Sequence, residues 1–342
     1  MSCATARRCW AVGVAGPNPP AAGATVIVAT TNGGMSWKAQ HVAGGVTPQL
    51  SGVSCPTATE CMAVGSTGAS LPGSAVVVTT RDAGLAWSPA TAPMDALAVT
   101  SVRCALPSDC TAIVSDGTLT WSAHSADFGQ TWQREGNLPS LFLGGRELSC
   151  STGGSCLVAG YVPISNGHGQ GAVSVSSDGG QTWTLATVPS GLGVLQSAVC
   201  LNATDCVAAG STTTTVSDIV PAKGELLRSA DGGHSWVLSA SAPPVDDVYS
   251  VACPSARVCA IAGTRWVGLP AIGTGAVAQS VDGGLTFRAS SSAYVPITLT
   301  ALSCPDPESC VAVGGDTVAR ITLITPRATP TVPSGTHRSG RG

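Results

Sequence analysis

The sequence predicts an all-β fold, a seven-bladed β-propeller of four-stranded antiparallel blades, on the strength of three observations. All 14 cysteines fall into seven C-x5-C pairs. The pairs recur about every 50 residues, a period typical of propeller blades. Six copies of a short turn motif ending in Trp or Phe alternate with the pairs. One repeating unit therefore accounts for nearly the whole chain.

Composition narrows the class of protein further. The 342 residues include 42 Gly and 23 Pro, and 10% are charged against 44% hydrophobic. Disordered chains combine low hydrophobicity with high charge, and helical chains avoid this density of turn formers, so neither class fits. The net charge of -3 provides no positive field for nucleic acid, so we expect no nucleic-acid partner. The chain also lacks the long apolar run of a membrane span.

The paired cysteines are interpreted as local disulfides, one in each blade. Metal-binding cysteines are usually closer together in sequence and are often accompanied by histidine ligands, whereas the chain has only 5 His. A redox dithiol would need one reactive pair rather than seven equivalent ones. We therefore expect no metal site and no cofactor. The pairs are Cys3 with Cys9, Cys55 with Cys61, Cys104 with Cys110, Cys150 with Cys156, Cys200 with Cys206, Cys253 with Cys259, and Cys304 with Cys310.

Each repeat reads as four short strands separated by turn residues. The loop between the first and second strands holds the cysteines, and the loop between the third and fourth holds the turn motif. An antiparallel meander places both loops at one end of a blade. The opposite end carries longer and more varied loops, where functional residues often lie. These variable loops are residues 13–23, 65–74, 160–171, 210–224 and 263–275.

The turn motif, for example Ser-Ser-Asp-Gly-Gly-Gln-Thr-Trp at residues 176–183, resembles the Asp-box of the bacterial neuraminidase repeat. That sialidase-like propeller family includes sialidases, xyloglucan-active glycosidases, sortilin-type receptors and the photosystem II assembly propeller. We interpret the motif as structural. Asp or Asn accepts hydrogen bonds from the backbone amides of the turn, and Gly adopts a positive φ angle. The aromatic ring packs between neighbouring sheets. The motif residues are Asn32, Asp82, Asp127, Asp178, Asp231, Asp282, Trp37, Trp87, Trp132, Trp183, Trp236 and Phe287.

The two ends of the chain differ from the repeat. The propeller is expected to span residues 1–325, with most of the inner strand missing from the first blade and the outer strand missing from the last. Our hypothesis is that translation starts upstream, and that the upstream residues carry a secretion signal and a closing strand. No secretion signal is visible in this chain, although seven disulfides predict an extracellular or cell-envelope location. Residues 326–342 read as a flexible tail.

The resemblance to sialidases raises an enzymatic alternative. Sialidases use an arginine triad, a Tyr–Glu nucleophile pair and an acid–base Asp, but their Phe-Arg-Ile-Pro motif is absent here. The available nucleophile pair is Tyr249 with Glu225 or Glu147. The available arginines are Arg146, Arg265 and Arg288. The spacing of these residues selects none of them.

A glycosidase of any kind needs two carboxylates about 5–10 Å apart across a cleft. The candidate carboxylates on the variable-loop face are Asp218, Glu225, Asp246 and Asp247. Adjacent Asp246 and Asp247 are more typical of a turn than of a catalytic pair. Three residues in the same loops, His168, Arg265 and Trp266, have side chains suited to stacking on and hydrogen bonding to a ligand.

The sequence favours a non-catalytic function: an exported, monomeric scaffold that binds a protein or glycan partner through its variable loops. A sialidase-like glycoside hydrolase is the first alternative, and an assembly factor like the photosystem II propeller is the second. An enzyme should place two or more carboxylates in a central pocket, with at least one perturbed pKa. A binder should show a mouth lined by apolar or Ser/Thr side chains without such carboxylates.

Overall fold

The structure, a computed structural model, describes residues 1–15, 24–43, 48–68, 73–139, 143–151, 154–164, 169–212, 222–268, 272–290, 298–315 and 317–323. The regular secondary structure in these ranges is β-strand. The strands, in chain order, are β1 Ser2–Cys3, β2 Cys9–Ala15, β3 Ala24–Thr30, β4 Lys38–Gln40, β5 Gln49–Ser54, β6 Cys61–Ser66, β7 Ala75–Thr80, β8 Ser88–Ala90, β9 Ala98–Leu106, β10 Asp109–Ser115, β11 Thr120–Ser125, β12 Gln133–Asn137, β13 Leu143–Cys150, β14 Cys156–Pro163, β15 Gly169–Ser176, β16 Thr184–Leu185, β17 Leu195–Cys200, β18 Cys206–Ser211, β19 Gly224–Ser229, β20 Val237–Leu238, β21 Asp247–Ala252, β22 Cys259–Val267, β23 Ile272–Ser280, β24 Arg288–Ala289, β25 Ala301–Asp306, β26 Ser309–Gly314 and β27 Thr317–Thr322.

The strands form seven antiparallel sheets, each built from consecutive strands in chain order. Six sheets have four strands, and the sheet of β25, β26 and β27 has three within the described residues. From β5 to β25, the first strand of each sheet contacts the first strand of the next, while β5 contacts β2 of the first sheet and β25 contacts β1. The seven sheets therefore close into a ring, and the predicted seven-bladed β-propeller is confirmed.

The hydrophobic core lies between blades rather than within one central mass. Six clusters of buried side chains each join two neighbouring blades, from blades one and two through to blades six and seven. Most of their members are Ala and Val, whose small volume lets the sheets approach closely. This layered core explains the composition, since every blade must be apolar on both faces.

The seven disulfides pair as predicted, and each closes the hairpin between the first and second strands of one blade. In four blades the bonded cysteines are direct cross-strand neighbours. The described chain has no free cysteine. Seven disulfides indicate an oxidising environment for folding.

The six turn motifs share one pattern of hydrogen bonds. In the copy at residues 176–183, Ser176 Oγ accepts the Gly180 amide at 2.8 Å and donates to Asp178 Oδ1 at 2.8 Å. Asp178 Oδ1 also accepts the Thr182 amide at 2.9 Å, and Oδ2 accepts the Thr182 hydroxyl at 2.6 Å. The hydrogen bonds to Thr182 lower the pKa of Asp178 to about 2. Both oxygens of the carboxylate are therefore hydrogen-bonded within the turn.

Each turn motif lies beside the cysteine loop of its own blade. In five blades the amide after the Asp or Asn donates to a carbonyl of that loop at 2.7–3.0 Å, as Gly179 does to Gly154. Both loops therefore lie at the same end of the blade, which we call the disulfide end. The variable loops leave from the opposite end, and each contains residues outside the described ranges. Residues 324–342, including the expected tail, also lie outside them.

Candidate functional site

A channel runs along the ring axis between the inner strands of all seven blades. It has a volume of about 790 Å³. Its described wall consists mainly of Ser, Thr, Ala, Val and backbone atoms from the inner strands near the cysteines. The inner strands are held in place by the interblade core, so the channel is a rigid site made by residues far apart in sequence.

Serine hydroxyls connect the inner strands around this channel. At six junctions between neighbouring blades, a backbone amide donates to a serine Oγ of the preceding blade at 2.9–3.2 Å. The amide and hydroxyl partners are Cys3 and Ser303, Cys55 and Ser2, Cys104 and Ser54, Leu148 and Ser101, Val251 and Ser197, and Leu302 and Ser250. These serines precede a cysteine by either one or three residues. This repeated offset is visible in the sequence, but it was not among the predicted features.

The junction between blades four and five is different. Glu147 occupies the position, three residues before a cysteine, where blades three, five and six have serine. Ser197 Oγ donates to Glu147 Oε2 at 2.5 Å. This bond completes a circle of seven interblade contacts.

Glu147 is the one carboxylate among the described residues that line the channel. Its side chain lines the channel and is half-buried. Burial raises the pKa of Glu147 above its usual value. The Ser197 hydrogen bond, the Met1 ammonium group and Arg103 oppose this rise. A raised pKa of this origin follows from burial and does not by itself identify a catalytic acid.

Three of the sequence-predicted site residues meet in blade six. Asp246 Oδ2 accepts the Trp266 amide at 2.7 Å, and Asp247 Oδ2 accepts Trp266 Nε1 at 2.9 Å. Asp247 is 7% exposed, whereas the Trp266 side chain is 38% exposed. The two carboxylates therefore fix an exposed indole on the edge of the propeller away from the disulfide end. Arg265 is exposed beside Trp266 on β22.

The remaining sequence candidates do not assemble into one site. Glu225 Oε2 accepts the Gly193 amide at 3.1 Å, and burial raises its pKa while this bond opposes the rise. Tyr249 lines the channel, as Glu147 does, whereas Glu225 does not. Arg288 is exposed on an outermost strand, away from the channel. His168, Asp218 and the side chain of Arg146 lie outside the described residues.

Two further classes of site are not found in the described part of the chain. No group of three or more His, Cys, Asp or Glu side chains is arranged there to hold a metal ion. None of its elements is a helix long and apolar enough to cross a membrane.

No family model matches the chain, and no curated protein sequence matches it. Solved propeller structures do match. The chain is similar to YCF48 bound to a D1 peptide, with a TM-score of 0.64 and 17% identity over 94% of this chain and 92% of that chain. YCF48 from Cyanidioschyzon merolae gives a TM-score of 0.59 and 16% identity over 92% and 98% of the two chains.

A glycoside hydrolase shares the architecture as well. The GH74 enzyme of Niastella koreensis matches with a TM-score of 0.54 and 13% identity, over 95% of this chain and 65% of that chain. At these low identities the similarities show a common propeller fold. The function is therefore inferred from the channel and the residues that line it.

Proposed function

We propose that this protein is an exported, non-catalytic β-propeller that binds a segment of a partner protein at its central channel. The observation that carries the proposal is the channel wall, in which Ser, Thr and small side chains surround a single described carboxylate, Glu147. Such a wall offers hydrogen bonds and shape to a ligand but lacks the paired acid and base of a hydrolase.

The contacts of the other acidic candidates support this choice over a glycosidase. Asp246 and Asp247 are both hydrogen-bonded to Trp266, and Glu225 is hydrogen-bonded to the Gly193 amide. A retaining or inverting glycosidase needs two carboxylates that flank the scissile bond. Glu147 is held by Ser197 across a blade junction, which is a structural role.

A peptide suits the channel better than a glycan does. Sugar rings are usually gripped by flat aromatic side chains, and Tyr249 is the one aromatic residue among those described in the channel wall. Hydroxyl groups can instead pair with the amides and carbonyls of an extended peptide. The similarity in fold to YCF48 bound to a D1 peptide also supports a protein partner.

Export and family are part of the same proposal. Seven disulfides favour an extracellular or cell-envelope location, where they persist. The hydrogen bonds of the six turns support their assignment as Asp-boxes of a sialidase-like propeller. The described channel wall comes from all seven blades of one chain, which supports a monomer.

The proposal is tested with a random peptide library displayed on phage, selected against the oxidised full chain. Selected peptides are then titrated against a channel-blocking variant, Ser149→Trp. Ser149 lines the channel, and its hydroxyl makes no hydrogen bond in the described part of the chain. The matched control is Ser88→Trp, because Ser88 is exposed on the outer strand β8.

We expect Ser149→Trp to weaken peptide binding by at least about tenfold, or about 1.4 kcal/mol, and Ser88→Trp to leave it unchanged. A library that yields no binders, or binders that do not distinguish the two variants, would contradict a channel site. The same preparations are assayed on a panel of fluorogenic glycosides. Turnover that is lost in Glu147→Gln would establish the hydrolase alternative instead.

A further inference from the structure

A second cavity lies between blades three and four at the disulfide end. We call it the 3–4 cleft, and its charged and polar wall includes Arg103, Asp109, Thr111, His124, Glu135 and Asp178. Its volume is about 270 Å³, which suits one amino-acid side chain. Arg103 also lines the central channel, so the cleft opens beside the channel mouth.

The repeat explains why a cleft forms here. Position 111 is the first residue after the second cysteine of its blade, and its side chain faces the next blade. In the other six blades this residue is apolar and buried, and fills the space between sheets. These residues are Trp10, Met62, Leu157, Val207, Ala260 and Val311. In blade three the same position holds Thr111.

Distances to the next blade show the space that the shorter residue leaves. A Cβ placed on Gly129 would lie 2.9 Å from Met62 Cε, and one on Gly233 would lie 2.5 Å from Leu157 Cδ2. At the equivalent Gly180, the nearest atom is Ser122 Oγ at 3.4 Å, and the Thr111 methyl carbon is 3.6 Å away. The residue that closes this space elsewhere is therefore absent from blade three.

The cleft contains an unused polar group. Thr111 is 6% exposed, and its hydroxyl makes no hydrogen bond within the described residues. Thr111 is not among the described side chains whose buried polar atoms lack a partner, so its hydroxyl is open to the cleft. The other six blades have an apolar side chain at this position, so only blade three offers a ligand a hydrogen-bonding group here.

The charges of the cleft favour a cationic ligand. Three carboxylates, Asp109, Glu135 and Asp178, line it. Asp178 is bound within its turn, and Asp109 Oδ1 lies 3.3 Å from His124 Nε2. The carboxylate of Glu135 has no partner in the described part of the chain. Arg103 also lines the cleft, and its single positive charge is fewer than the three negative charges of the carboxylates.

We infer that the 3–4 cleft binds a basic side chain, Arg or Lys, of the segment that occupies the channel. The inference rests on the proposed function for the source of that side chain. Glu135 supplies the charge, and Thr111 supplies a hydrogen-bond acceptor for the guanidinium or ammonium group. The shared wall at Arg103 lets one extended segment reach both cavities.

The test uses Nα-acetyl-arginine amide as the probe and Nα-acetyl-citrulline amide as its uncharged match, each titrated into the full chain by NMR. Thr111→Met should fill the cleft, because Met62 does so in blade two. Glu135→Gln removes the charge while keeping the shape. Thr118→Met is the matched control, because Thr118 is exposed at the other end of the same blade.

We expect the arginine probe to bind, the citrulline probe to bind on the order of tenfold more weakly, and both cleft variants to lose on the order of tenfold in arginine affinity. Thr118→Met should match the wild type. Thermal unfolding confirms that each variant is folded. If Thr111→Met does not fold, Glu135→Gln still tests the inference. Equal binding of the two probes, or arginine binding insensitive to both cleft variants, would overturn the inference.

The same variants separate this inference from the proposed function. Library peptides that bind through the channel but show no preference for Arg or Lys, and bind Thr111→Met as well as wild type, would overturn the cleft alone. Probe binding that depends on Thr111 and Glu135, with no library peptide selected, would support the cleft and contradict the proposed function.

Discussion

The Cys3 amide donates a hydrogen bond to Ser303 Oγ at 3.1 Å, although the two residues are 300 positions apart in the chain. This bond joins the first blade to the last. The six apolar clusters join the other neighbouring blades, and none of them spans this junction within the described residues. Hydrogen bonding between inner strands is therefore an important part of ring closure.

Ser303→Ala should destabilise the protein, because it leaves the Cys3 amide without its acceptor. The expected cost is about 1–3 kcal/mol of unfolding free energy, measured by denaturant titration with the disulfides intact. Ser149→Ala is the matched control, since Ser149 holds the same position before its cysteine but its hydroxyl makes no described hydrogen bond. Equal effects of the two substitutions would show that this bond does not secure the junction.

Glu147→Gln should raise stability at neutral pH and not at low pH. Burial raises the folded-state pKa of Glu147, so folding favours its protonated form. Its contribution is therefore fully present below the unfolded value of 4.5 and is lost as pH rises through the folded-state pKa. Glutamine keeps an acceptor for Ser197 and removes the charge. We expect the melting temperature of the variant to exceed that of wild type by a few degrees at pH 7, and to equal it near pH 4.

The exposed Glu308, substituted in the same way, serves as the control for Glu147. It should show no comparable pH-dependent gain. A Glu147→Gln protein that is less stable than wild type at pH 7 would mean that the charged carboxylate stabilises the junction between blades four and five.

Two reciprocal substitutions test the backbone of the turn motif. Ala83 has φ of 62°, where four other copies of the motif have glycine. Ala83→Gly should stabilise by up to about 1 kcal/mol, because the left-handed conformation is costly for a residue with a Cβ. Gly179 has φ of 77°, and a Cβ there would meet no atom within 4 Å. Gly179→Ala should therefore destabilise by about 1 kcal/mol for conformational reasons alone, and urea unfolding curves with opposite shifts would confirm both.

Asp127→Asn should change the acid sensitivity of the protein. The side-chain and backbone hydrogen bonds from Thr131 lower the pKa of Asp127 to about 2 from 3.8. Its stabilising contribution is present above pH 3.8 and is lost as pH falls through about 2. The variant should be less stable than wild type at pH 6, and the difference should shrink between about pH 4 and pH 2. A difference that is constant with pH would mean that the charge is unimportant.

The first turn motif shows why asparagine is a fair substitute. Asn32 Oδ1 accepts the Ser36 amide at 2.9 Å, and Nδ2 donates to the Ser36 hydroxyl at 2.8 Å. The turn keeps its contacts by reversing the direction of one hydrogen bond. Asp127→Asn should therefore fold normally.

The spacing of the cysteines and the repeated turn motif were enough to predict the propeller, and the cysteine spacing predicted the blade number and the disulfide pairing. Cysteines six positions apart can meet across a tight hairpin, and this information is local in sequence. The interblade partners are not local. The hydroxyls of Ser54 and Ser101 each accept a hydrogen bond from a backbone amide of the next blade. These contacts form only when units about 50 residues apart lie side by side. Their repeated offset from a cysteine can be read from the sequence, but the partner of each hydroxyl on the next blade cannot.

The candidate site was predicted in part. Asp246, Asp247 and Trp266 were expected at the end opposite the disulfides, but as separate catalytic and binding candidates. The structure instead shows that the two carboxylates hold the indole in place. Thr111 was missed because one polar residue among six apolar equivalents has meaning only once the blades are aligned and the neighbouring sheet is in place.

The central claim, a partner segment bound in the channel, is tested most directly by photo-crosslinking. p-Benzoylphenylalanine replaces Ser149 in the channel or, separately, Ser88 on the outer strand β8. Each protein is irradiated with a labelled library-selected peptide, and crosslinks are mapped by mass spectrometry. We predict efficient crosslinking from position 149 and background levels from position 88. Crosslinking from position 88 alone, or equal yields from both, would contradict a binding site in the channel.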